Sequence, residues 1–169
     1  DYSALVYTDI RANGQNDYME AELHKLNPTD LVCKLFEVCG DGPDQWRPDI
    51  IAIEDVQLQM VLASLIRSEA SNHKGSWLYR WLENNPIYPV KHSGRANKTF
   101  RIRRDLSKVV GSQKLKYIRG KHGTKLAVQQ IRQFPNCVND NTLHDDGADA
   151  AAMCYEAFNK FYGLMGVDD

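Results

Sequence analysis

Short apolar runs alternate with turn-forming stretches from the start of the chain. Ala4 to Thr8 reads ALVYT, and between Tyr18 and Leu26 the apolar Met19, Ala21 and Leu23 alternate with Glu20, Glu22 and His24. A period of two marks a half-buried strand. The intervening Arg11-Ala12-Asn13-Gly14-Gln15-Asn16 has turn chemistry, which predicts an antiparallel hairpin. After Asn27-Pro28, Thr29 or Asp30 is placed to cap a helix on which Leu31, Val32, Leu35, Phe36 and Val38 recur at helical spacing, ending near Gly40. In Pro48-Asp49-Ile50-Ile51-Ala52-Ile53-Glu54-Asp55 an unbroken apolar run stops at two carboxylates, which reads as a central strand covered on both faces. The pattern then predicts helices over 56–71 and 77–82, a strand over 87–90 and a helix over 99–110. A weakly alternating ribbon over 114–119 and helices over 124–134 and 144–162 follow. This order predicts an α/β fold, a mixed central sheet flanked by helices, with residues 1–169 forming a single domain.

Composition narrows the class. At 169 residues, 43% hydrophobic and 25% charged, the chain is an ordinary globular domain rather than a disordered or fibrous one. No apolar run approaches the roughly 20 residues that span a bilayer, so a soluble domain with no membrane partner is expected. The four cysteines are too few and too irregular for a disulfide framework or a C-x-x-C zinc site, and reduced thiols in a cytoplasm-like compartment are expected.

The net charge of -1 conceals a strong asymmetry. From Lys91 to Arg132 there are thirteen Lys or Arg against one acid, Asp105, while the rest of the chain carries 8 bases and 21 acids. A basic block beside an acidic remainder suggests a polyanion partner and a separate acidic site, the alternative being a solvated charged face. Lys98, Arg101, Arg103, Arg104, Lys114, Lys116 and Lys121 are the expected contacts to a phosphate backbone.

Two acidic features carry chemistry. Glu54 ends the apolar strand, at the carboxyl edge where open α/β sheets place ligand sites, the alternative being that it or Asp55 merely caps the next helix. His144-Asp145-Asp146-Gly147-Ala148-Asp149-Ala150 sets three carboxylates and a histidine at a helix start. Asp146 and Asp149 are neighbours on one helical face, and helix capping is again the structural alternative. Such hard oxygen donors suit Mg²⁺ or Mn²⁺. Two metals about 3.5 to 4 Å apart can activate water and stabilise the leaving oxygen in phosphodiester hydrolysis.

The order of Asp1-Tyr2-Ser3-Ala4-Leu5-Val6, Pro48 to Glu54, Lys98-Thr99-Phe100-Arg101-Ile102, Phe134-Pro135 and His144 to Ala150 resembles the carboxyl-terminal nuclease domain of the large terminase subunits of tailed bacteriophages. The resemblance covers essentially the whole chain. It implies an RNase H-like fold and a two-metal endonuclease that cuts concatemeric double-stranded phage DNA during packaging, with two Mg²⁺ or Mn²⁺ ions. By resemblance the partners are the terminase ATPase domain, the small terminase subunit and the portal, in the cytoplasm of the infected bacterial host. It assigns Glu54 as the central-strand ligand and Asp149 as the helical ligand, assisted by Asp146; the acidic cluster itself adds Asp145 as an expected metal ligand and His144 as a possible site residue. In the family a leading catalytic Asp ends a strand just upstream of the segment resembling Asp1-Tyr2-Ser3-Ala4. The given sequence is therefore expected to begin after that residue or to have lost that segment, the alternative being that Asp9 takes its place; Asp1 is a further possible site residue. The sequence contains no G-x-x-x-x-G-K-[ST] motif, so the ATPase half is not expected here. The competing readings are a Holliday-junction resolvase or transposase-type nuclease on the same fold, and a catalytically silent DNA-binding module.

Overall fold

The computed structural model describes residues 3–11, 16–55, 57–85, 87–91, 95–111, 115–137 and 144–164, with the backbone alone described at 55, 57–60, 91, 95–98, 108–109, 135–137 and 162–164. The turn expected at 11–16 thus lies mostly outside the described residues, as do Asp1 and Lys114 and the side chain of Lys98. The fold is mixed α/β, with six α-helices and two two-stranded sheets among the described residues. The chain divides into two compact units, one of residues 1–25 with 93–169 and one of residues 26–92.

In the first unit, β1 (Ser3–Ile10) and β2 (Asn16–His24) form the expected antiparallel hairpin, with Val6 opposite Ala21 and a register shift between Asp9 and Ile10. Helices α4 (Arg95–Gly111), α5 (His122–Cys137) and α6 (Asp146–Leu164) belong to the same unit, α6 lying against β1 and both other helices, and α5 against β2. Met19, Ala21 and Leu23 of β2 share a core with Ile102, Leu106, Val128, Ile131 and the α6 residues Ala148, Ala151, Ala152 and Tyr155. The alternation in β2 therefore aims where the sequence says it should. Close approach is enforced by small residues: a Cβ at Gly123 would come within 2.4 Å of the Ala21 carbonyl oxygen. The next residue, Thr124, accepts a hydrogen bond from the Ala21 N–H at 3.0 Å, which satisfies a backbone donor of β2.

The segment expected as a ribbon over 114–119 is not a strand where it is described. It runs beside β2, with the Ile118 N–H donating to the Met19 carbonyl and Asn16 Nδ2 donating to the Lys116 carbonyl at 2.9 Å. The buried Asn16 side chain and one backbone bond thus join this segment to β2.

The second unit holds α1 (Pro28–Val38), β3 (Ala52–Asp55), α2 (Gln57–Ala70), a short 3-10 turn (Ser71–His73), α3 (Trp77–Asn84) and β4 (Tyr88–Lys91). The cap of α1 is Asn27, not Thr29 or Asp30. Its side chain accepts from the Asp30 N–H at 2.9 Å and donates to the Asp30 carboxylate at 2.7 Å. Pro28 explains the difference, because a proline without an N–H fits the first helical position and leaves the residue before it, Asn27, as the cap. β3 pairs in parallel with β4, Glu54 opposite Val90. The described strands therefore make two separate pairs where one mixed sheet is expected, and helices complete each pair. The core of this unit is Val32, Leu35, Cys39, Ile51, Ile66, Leu78 and Leu82. No helix among the described residues is long and apolar enough to cross a membrane.

Candidate acidic site and basic surface

The acidic turn begins α6, as the sequence predicts. Asp146 is its first residue, and Gly147 sits so close to α5 that a Cβ there would lie 2.8 Å from Gln130 Oε1 and 3.0 Å from the Ala127 Cβ. The Gly147 N–H donates to Gln130 Oε1 at 2.6 Å, so a helix-start donor that has no partner within its own helix finds one on α5. Asp145 and Asp146 are half-buried, and His144 Nδ1 lies 3.8 Å from Asp146 Oδ2.

Asp149, one turn on, is in a different environment. It is 6% exposed, and its carboxylate accepts a charge-assisted hydrogen bond from Arg101 of α4, itself 6% exposed. Arg101 Nε also lies 4.0 Å from Glu156 Oε2. Asp149 and Glu156 are seven residues apart, two turns of one helix, and so share the face that meets Arg101. Arg104 extends the cluster, donating to both oxygens of the buried Asp105 at 2.6 and 2.8 Å and approaching Glu156 at 3.9 Å. Asp105 and Glu156 keep the Arg104 guanidinium firmly protonated, raised above its ordinary range, with the Asp105 hydrogen bond as the leading cause.

Arg101, expected as a leading DNA contact, is thus placed in the interior against Asp149. Its position on α4 explains this: Ile102, Asp105 and Leu106 are buried beside it, whereas Phe100 and Arg103 are exposed. Lys121 and Arg104 are half-exposed, but each engages an acid; the Lys121 ammonium pairs with the buried Glu20. Arg103 and Lys116 are exposed, and Lys116 lies 3.9 Å from Asp17. The exposed basic residues of this unit include Arg119, Lys125 and Arg132 besides. The basic block is therefore a mixture of solvent-facing cations and cations tied to acids, and its net charge overstates its free charge.

Asp9 is exposed on β1, opposite Tyr18. Glu54 is half-buried on β3 in the second unit. Among the described residues no three His, Cys, Asp or Glu side chains converge in a metal-binding group.

Several side chains that shape the site carry no periodic signal. Asn16 falls in a stretch that reads as a turn yet is buried, Gln130 reads as a polar helix position yet holds the start of α6, and Glu156 lies between apolar neighbours. Only an unpaired acid or amide at an otherwise apolar helical face could have marked them in advance. Comparison with known protein families, curated proteins and solved structures gives no match to this chain.

Proposed function

We propose that the protein is a metal-dependent endonuclease acting on double-stranded DNA, of the RNase H-like kind found in phage terminase large subunits, working with two Mg²⁺ or Mn²⁺ ions during genome packaging. The observation that carries this reading is the start of α6. Asp145 and Asp146 stand half-buried there, in the same unit as the exposed Arg103, Lys116, Arg119, Lys125 and Arg132. Carboxylate oxygens are the hard donors these ions take, so the donor chemistry of the turn fits. When bound, the ions would supply an activated water and stabilisation of the leaving oxygen. The exposed cations hold the phosphate backbone without reading its sequence. Burial of the α6 face behind Ala148 and Ala152 keeps the acidic turn fixed. The sequence resemblance adds Glu54 to the residues required, and places the protein beside a terminase ATPase domain, small subunit and portal in an infected bacterium.

A plasmid-nicking assay with Mn²⁺, Mg²⁺ and EDTA tests the reading. Nicking is expected with either ion, none in EDTA, and loss in Asp146→Asn and Glu54→Gln. Absence of nicking together with absence of thermal stabilisation by Mn²⁺ would sink it. That outcome would favour a silent DNA-binding module, the reading to which the engagement of Asp149 by Arg101 lends some support.

A further inference from the structure

We infer that the outer face of α4 takes single-stranded DNA, with Phe100 as the platform for an unpaired base and Arg103 on the adjoining phosphate. The inference rests on the DNA partner of the proposed function and names the form of DNA this face holds; the acidic turn has no part in it. Phe100 is 67% exposed, more than any other large apolar side chain among the described residues. Arg103, Ser107 and Val110 follow it at three, seven and ten positions, so the four share one helical face, and all are exposed. The end of the face is open as well: a Cβ at Gly111 would meet nothing within 4 Å. Among the described residues Phe100 has no ring contact and Arg103 no ion pair, so ring and cation are both available to a ligand.

Charge says what such a face attracts. The one acid between Lys91 and Arg132 is Asp105, which is buried and accepts both of its side-chain bonds from Arg104, so no acid of this stretch opposes a polyanion. The pairing of ring and cation then selects the form of the polyanion. Side chains three apart on a helix have Cβ atoms roughly 5 to 6 Å apart. A nucleotide likewise offers a flat base and, one sugar away, a phosphate. In a duplex the base faces are hidden, and a ring reaches one only by unstacking a step. On a single strand the faces are free, and stacking on an aromatic ring is worth about tenfold in affinity per base. A helix in the major groove would use Phe100 differently, against a thymine methyl, an apolar contact that leucine makes equally well. Stacking needs the ring.

Binding is measured by fluorescence anisotropy with the whole chain in EDTA, so that no strand is cut. The probes are an oligothymidylate, a strand of the same length with every base removed, and a dA·dT duplex of that length. Phe100→Leu should weaken oligothymidylate binding by about tenfold and leave the abasic strand and the duplex unchanged. Phe100→Trp should match or exceed wild type. Arg103→Gln should weaken the abasic and base-bearing strands alike and lower the salt slope by about 0.7. Both side chains stand in solvent, so all variants should melt with wild type. Equal oligothymidylate affinity in Phe100→Leu and wild type would overturn the inference, as would equal losses in Phe100→Leu and Phe100→Trp. A parallel loss on the duplex would overturn it too, making Phe100 a wedge into stacked DNA. A wild-type dimer in sedimentation that Phe100→Leu breaks would overturn it in favour of a second copy of the chain. No binding to any of the three probes would remove the inference together with the DNA partner of the proposed function. Binding as expected without nicking in the plasmid assay would leave the inference standing and remove the nuclease.

Discussion

The two units bury different chemistry. Among the described residues every buried polar or charged side chain (Asn16, Glu20, Arg101, Asp105, Thr124, Gln130 and Asp149) belongs to the unit built on the hairpin, while the core of the second unit is apolar throughout. An apolar core is tolerant: side chains of about the right size fill it, and the fold survives many exchanges. A buried polar group is not, because it must meet a partner in one geometry or lose a full hydrogen bond. The first unit therefore spends part of its stability on specifying where α4, α5 and α6 stand, and it is the unit that carries the acidic turn. Buried ion pairs are weak evidence for stability, since desolvation offsets most of the attraction, but removing one partner leaves an uncompensated charge.

The sharpest test of that contrast is Arg101→Met. It should destabilise by about 3 to 5 kcal/mol in urea unfolding, because Asp149 then stays buried without its cation. In the second unit Leu78, fully buried, is the counterpart: Leu78→Ala should cost about 2 to 5 kcal/mol as lost transfer energy plus a cavity, while Leu78→Met should cost less than about 1.5. A charge-conserving Arg101→Lys that proved as harmless as Leu78→Met would break the comparison, since it would show the ion pair to be as forgiving as the apolar core. Gly147→Ala comes next. The added Cβ meets Gln130 and Ala127, and overpacking of this kind should cost about 1 to 3 kcal/mol, read as a lowered urea midpoint.

Two smaller effects belong to the second unit. Burial pushes the Cys39 thiol up to about 12, so the folded chain keeps a proton that the unfolded chain releases above about pH 8.5. The stabilisation is fully present below that pH and is lost as pH rises towards 12, by up to about 1.4 kcal/mol per unit from this group. Cys39→Ala should flatten the alkaline limb of the stability profile measured by urea unfolding at pH 8 to 11 (about the range in which the thiol and thiolate references differ). Asn27→Ala should cost about 1 kcal/mol through the lost cap of α1, detectable as a lower melting temperature with the urea slope unchanged.

The sequence by itself determined most of the elements, because their signals are local. The alternation of Met19, Ala21 and Leu23, the helical recurrence in α1, α2 and α3, and the start of α6 at its acidic turn all arise from neighbours a few residues apart. Those elements appear within a few residues of the positions the patterns predict. The cap of α1 and the 115–118 segment do not: Pro28 leaves Asn27 as the cap, and the 115–118 segment bonds to the buried Asn16 side chain. What only tertiary structure decided is which charges are spoken for. Arg101 and Asp149 are 48 positions apart, Lys121 and Glu20 are 101 apart, and no periodicity links them. Thirteen cations in one stretch read as a uniform basic surface, yet helix α4 turns Arg101 inward and Arg103 outward two residues later. A side chain's charge is written in the sequence. Whether that charge faces water, a phosphate or a buried carboxylate depends on the packing of elements far apart in the chain, because desolvation and pairing act through space.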